Sequence, residues 1–212
     1  MGSFTFSLAS AIMVLEEIIM KVLMINGSRR EKGCTYTALS VVSEALAKEG
    51  IDSEICFIGK RAVDGALDEL VKELVEKTKS ADGFIFASPV YYASPSGEIQ
   101  VVLDRLFSNP KAELRLKPAA SIASARRAGT TATFDVLNKY ATITEMPIVS
   151  SNYWNMVHGT KPEDVYEDKE GVETLQVLGR NMAWLIKSIE EGKKAGIKTP
   201  EPMKKERTNF IR

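Results

Sequence analysis

The spacing of apolar and polar positions switches back and forth along the chain between a strand-like and a helix-like period. Residues 22–25 form a short continuous apolar run, as expected of a strand buried on both faces. Residues 35–49 follow with helical character, stopped by Gly50, and 55–58 give a second strand. Leu67, Leu70, Val71, Leu74 and Val75 then recur at helical spacing, with Asp64 and Asp68 early and Lys77 and Lys79 late, as the helix dipole favours. A third strand over 83–89 leads into a helix over 94–107, with Ser94 as its expected N-cap and Pro95 as its first residue. Small residues at 118–125 make a fourth strand, and 130–140 a fourth helix. The segment 143–151 reads as a fifth strand at the sheet edge, because Pro147 has no N–H for a central ladder. Leu175, Leu178, Met182, Leu185, Ile186 and Ile189 stripe a last helix that ends near Gly192.

Five strands alternating with five helices imply a parallel sheet covered by helices on both faces, a three-layer α/β/α sandwich. Of the two common doubly wound orders, five strands favour the flavodoxin-like 2-1-3-4-5 over the six-stranded dinucleotide arrangement. In that order a crevice opens above the carboxyl ends of strands 1 and 3. The loops after strands 1, 3 and 4 should line it.

The first of these loops, "NGSRREKGCT" at 26–35, carries the most chemistry. The Walker pattern needs four residues between its glycines and then Lys-Ser/Thr, whereas five separate Gly27 from Gly33 and Cys34 follows. The Gly-x-Gly-x-x-Gly spacing of dinucleotide sites is absent as well. What remains is a strand, a hydroxyl-bearing loop and a helix N-terminus converging on one point. Free backbone N–H groups and the helix dipole there suit a phosphate monoester that is held rather than transferred.

"NGSRREKGCTYTAL" resembles the Gly-Ser-Pro-Arg-x-x-Gly-Asn-Thr phosphate loop of the NADPH-dependent FMN reductase family, within the flavodoxin-like superfamily. "ASPVYYASPSGEIQVVLDRL" at 87–106 resembles that family's second signature, and the likeness runs from about residue 21 to 189. Carried over by position, the resemblance implies that Ser28, Arg30, Cys34 and Thr35 contact the FMN phosphate. It implies that Pro89, Val90, Tyr91 and Tyr92 lie along the isoalloxazine ring. Arg29 stands where the family usually has proline, and Cys34 where it usually has asparagine. The related iron–sulfur flavoproteins add a run of cysteines after the first helix; only Cys56 lies there, so the ligand count excludes a cluster.

The loop after strand 4, "SARRAGTT", admits two readings of equal weight. Ser124, Arg126 and Gly129 either reach the pyrimidine end of the flavin, where positive charge or N–H donors stabilise the reduced ring, or belong to a solvated basic loop. Arg127 is a candidate for the 2′-phosphate of NADPH. Asp104 and Arg105, inside a helix, read as structural anchors. His158 reads as a loop histidine without a catalytic role, while Tyr153 and Trp154 read as a lid or an interface.

Composition narrows the function further. Lys+Arg and Asp+Glu both number 28, so no net basic field exists to collect nucleic-acid phosphates. Two cysteines form no disulfide framework and suggest no metal site, which points to a reducing, cytoplasmic location. Residues 1–19 are apolar but lack a basic n-region and contain Glu16 and Glu17, which argues against a signal peptide or membrane span. They read as an extension before Met20, followed by a flavodoxin-like FMN-binding domain over 20–192 and a basic tail over 193–212. The expected activity is that of an FMN-dependent NAD(P)H oxidoreductase with no catalytic side chain, serving a quinone, flavin, azo or nitro acceptor. A homodimer or homotetramer is expected. Two alternatives stay open: a flavodoxin-type electron carrier without reductase activity, and a flavodoxin-like binding module without cofactor.

Overall fold

A computed structural model describes residues 20–204, 206 and 208; the extension expected over 1–19 lies outside the described residues. In chain order the elements are β1 (Lys21–Asn26), α1 (Cys34–Lys48), β2 (Asp52–Phe57), α2 (Leu67–Ser80), β3 (Gly83–Tyr91), β4 (Ser94–Pro95), α3 (Gly97–Phe107), β5 (Ala119–Ala125), α4 (Thr130–Ile143), β6 (Met156–His158) and α5 (Lys169–Lys194). The parallel strands lie in the order β2-β1-β3-β5-β6, and β4 folds back antiparallel on the end of β3. This is the flavodoxin-like order expected for five parallel strands.

Alternation along the central strands builds two cores. Leu23, Ile25, Phe84 and Phe86 face α2, α3 and α4, where Leu70, Leu74, Leu103 and Leu137 wait. Val22, Met24, Ile85 and Ile122 face α1 and α5, against Leu39, Val42, Leu178 and Met182. Because both faces are covered, the strands show the near-continuous apolar runs seen in the sequence. Strand β2 starts earlier than expected, at Asp52, because an edge strand tolerates a polar stretch. Its Glu54 is held by Lys21 and Lys77, which depress the carboxyl below its ordinary value.

Two expectations are corrected. The segment 143–151 is not the fifth strand: it touches the sheet through one isolated bridge, Ala119 to Ile148. After that bridge the Ser150 carbonyl is taken by the Asn181 side chain on α5 at 2.8 Å, so the segment leaves the sheet. Asn155 brings the chain back by donating to the Ser121 carbonyl at 3.1 Å, and β6 supplies the fifth strand. The second correction is at α3, which begins at Gly97 with Ser96 as its N-cap, not at Ser94. Ser96 N–H donates to the Ser88 hydroxyl at 2.9 Å, which draws Ser94 and Pro95 into β4 instead.

The candidate flavin cleft

The cleft opens where β1, β3 and β5 end. It measures about 370 Å³, within the range of small-molecule sites. Its first wall is the loop between β1 and α1. Asn26, fully buried, shapes that loop by donating to the Glu31 carbonyl at 3.0 Å and accepting from Ser28 N–H at 3.1 Å. Ser28 Oγ in turn accepts from Arg30 N–H at 3.0 Å. Gly27 N–H donates to the Ala87 carbonyl at 2.8 Å, and Ser96 Oγ donates to the Gly27 carbonyl at 2.6 Å. A Cβ on Gly27 would come within 2.7 Å of Ile99 Cβ, so only glycine lets the loop sit this close to α3.

Helix α1 begins at this loop with Gly33 as N-cap and no side-chain cap. The first N–H of the helix to find a helical acceptor is that of Thr37, bonded to the Gly33 carbonyl at 3.0 Å. The N–H groups of Cys34, Thr35 and Tyr36 therefore precede the helical ladder, and Cys34 and Thr35 line the cleft. Thr35 Oγ1 and Ser124 Oγ lie 2.8 Å apart and are buried, joining this wall to the end of β5.

The two loop arginines have separate roles. Arg29 turns onto Glu98, a carboxylate 2% exposed in the first turn of α3, and does not line the cleft. Arg30 and Lys32 do line it, and among the described residues neither is ion-paired. The Cys34 thiol also lines the cleft; burial raises its pKa, so at neutral pH it is a thiol and a weak donor.

Pro89, Val90 and Tyr91 form an apolar side of the cleft. Tyr92 does not: it is fully exposed at the tip of the turn between β3 and β4, where Tyr92 and Ala93 both adopt positive φ, 50° and 55°. Ser124, Ala125 and Arg126 continue the lining from β5. Gly129 stands behind it rather than in it. Its φ is 94°, and an added Cβ would meet Ala93 Cα at 2.8 Å and Val90 Cγ1 at 2.9 Å, so it seats the β3–β4 hairpin against the start of α4.

Gly159, Thr160 and Pro162, just after β6, close the far side together with Lys32 from the near wall. Sequence reasoning missed all four. For the three after β6 the only signal was a glycine followed by a threonine in a long loop, which has no fixed place until β6 is known. Tyr153 and Trp154 stack edge-on, centroids 5.1 Å apart, and line a separate small hollow with Met156 and His158. Asp104 and Arg105 do anchor α3, but to helices: Arg105 bonds Asp68 on α2 at 2.6 Å, and Tyr140 on α4 donates to Asp104 at 2.5 Å. Among the described residues no helix is long and apolar enough to cross a membrane, and no group of three or more His, Cys, Asp or Glu is placed to hold a metal ion.

Residues 20–161 match the model of a family described as NADPH-dependent FMN reductase. An iron-sulfur flavoprotein of Methanocaldococcus jannaschii is 29% identical over 195 residues, covering 81% of this chain and 100% of its own. An iron-sulfur flavoprotein of Methanosarcina thermophila is 23% identical over 191 residues, covering 82% of this chain and 99% of its own. Among solved structures, RosB with bound 8-demethyl-8-formylriboflavin-5'-phosphate superposes with a TM-score of 0.63 at 16% identity, covering 91% of this chain and 92% of that one. At that identity the structural likeness speaks for the fold.

Proposed function

The chain belongs to the NADPH-dependent FMN reductase family, and we propose from that premise that it is an FMN-dependent oxidoreductase moving electrons from a nicotinamide to a small acceptor such as a quinone, flavin, azo or nitro compound. The observation that carries this reading is one arrangement. The α1 N-terminus has no side-chain cap and faces a cleft that also holds the unpaired Arg30 and Lys32, while Pro89, Val90 and Tyr91 offer an apolar side. The donor set fits a phosphate: backbone N–H groups at the positive end of a helix, two hydroxyls and free cations. The apolar side fits a planar ring.

In this reading Ser28, Thr35, Arg30 and the first N–H groups of α1 hold the phosphate, with Lys32 adding charge that the Cys34 thiol cannot supply. Pro89, Val90 and Tyr91 fix the plane of the ring, and Ser124 and Arg126 face its polar end. Bound there, FMN would supply the redox chemistry, so the protein needs no acid, base or nucleophile of its own. Arg127 is the candidate for recognising NADPH over NADH. The relatives' names include an iron–sulfur group, whereas the present 212 residues contain two cysteines, fewer than the four of an ordinary cluster. We assign residues 20–192 to the FMN-binding unit and the flanking segments to an extension and a basic tail. A cytoplasmic homodimer or homotetramer completes the proposal.

Anaerobic titration of the FMN-loaded protein with NADPH and then NADH tests it. Rapid loss of the yellow flavin absorbance with either one supports the oxidoreductase. Flavin that binds but is bleached by neither leaves the electron-carrier alternative standing in its place.

A further inference from the structure

His158 is the single histidine of the chain and sits at the end of β6, between the loop after β5 and the start of α5. Its backbone N–H donates to Asp168 Oδ2 at 2.8 Å, and its ring Nδ1 lies 3.3 Å from the same oxygen. On the other side of the ring, Nε2 lies 3.1 Å from the Arg127 carbonyl. Both ring nitrogens therefore face acceptors, a carboxylate and a carbonyl, and neither partner can donate. A neutral imidazole carries one N–H and satisfies one of them; the imidazolium satisfies both.

The partners matter because of what they hold. Asp168 is the N-cap of α5, accepting from Gly171 N–H at 3.0 Å, so it is fixed to a long helix. Arg127 follows Arg126, which lines the cleft. The next residue after His158 adds a parallel tie, Gly159 N–H to the Ala125 carbonyl at 2.9 Å. The loop carrying Arg126 is thus fastened to the far side of the cleft at two points, one of them through a ring that bonds Asp168 and the Arg127 carbonyl together only with its second proton. Asp168 and Glu170 from the start of α5 and Tyr153 from the loop before β6 line one hollow with His158, and Arg127 presents its carbonyl from the other side. Asp164, on the turn before α5, is engaged elsewhere by the N–H groups of Thr160 and Lys161 at 2.8 and 2.9 Å.

We propose that His158 is a positioning residue for the cleft: protonated, it clamps the Arg127 carbonyl to Asp168 and holds Arg126 in place; neutral, it gives up one of the two bonds and the wall loosens. The proposal rests on FMN occupying the cleft. Its test is FMN affinity, read by quenching of flavin fluorescence, for the wild type and His158→Gln between about pH 5.5 and 8.5. The flavin phosphate titrates in both proteins, so the ratio of their dissociation constants isolates the imidazole. The clamp predicts that His158→Gln binds about tenfold more weakly at the acid end and about twofold or less at the alkaline end. A ratio that stays constant with pH overturns the clamp and leaves the flavin site intact. Absence of quenching by either protein at every pH overturns the flavin reading itself, and the clamp with it.

A second measurement needs no variant. Because there is one histidine, its ring ¹⁵N resonances report the imidazolium fraction without assignment. Binding and protonation are linked reciprocally, so adding FMN near pH 7 should raise that fraction. A fraction that FMN leaves unchanged contradicts the clamp.

Discussion

The two walls of the cleft are built by different means. The near wall, from Asn26 to Thr35, is held from within: Asn26, Ser28, Ser96 and Gly27 exchange short hydrogen bonds, and Asn26, Ser28 and Thr35 are buried. The far wall, Arg126 and the residues after β6, has Arg126, Thr160 and Lys161 exposed and is tied to the end of β5 through Gly159 and His158, with Val165 buried behind it. A pre-organised wall loses little entropy when it takes up a ligand and suits a permanent guest. A wall whose cleft-facing rim is exposed rearranges there at smaller cost than a buried one, and suits a cleft whose second guest must enter and leave. Under the proposed function, the difference favours the near wall for the phosphate and the far one for exchange of substrate.

The largest effect expected on this contrast comes from Arg30. A charge-assisted hydrogen bond contributes about 1.5–3 kcal/mol, so Arg30→Ala should weaken FMN binding by about 10- to 100-fold in a quenching titration. Arg126→Ala on the far wall should change FMN affinity less than Arg30→Ala. Next in size is Gly129→Ala, which places a Cβ at φ 94° and 2.8 Å from Ala93 Cα. Strain of that kind costs about 1–3 kcal/mol, visible as a lower midpoint in urea unfolding. The smallest is Cys34→Asn, which trades a weak donor for an amide; FMN affinity should rise by about two- to tenfold. The same thiol offers a pH readout. Burial raises its pKa above that of an ordinary thiol, so alkylation of Cys34 in FMN-free protein should be slower at neutral pH than that of an exposed cysteine and should speed up as pH rises.

The near wall was legible in the sequence because its signals are local: a glycine, a hydroxyl and a helix start within ten residues. Its organiser, Asn26, was available as a polar residue ending an apolar strand, but only burial shows that it bonds inward. Ser88 and Ser96 belong to the second signature and prove to be struts, Ser96 capping α3 while gripping the Gly27 carbonyl. Tyr92 and Gly129 were read with the lining and instead form a turn and its backing. Apart from Arg126, the far wall was not legible. A three-residue strand such as β6 has no period to detect, whereas 143–151 shows strand-like composition without a ladder to join. Gly159, Thr160 and Pro162 follow from β6, so they were lost with it.

Riboflavin offers the most direct test of the central claim, since it shares the ring and side chain of FMN but lacks the phosphate. If the anion is gripped at the start of α1, FMN should bind at least about 100-fold more tightly than riboflavin, and Arg30→Ala should remove most of that margin. Equal affinities for the two flavins would contradict the account.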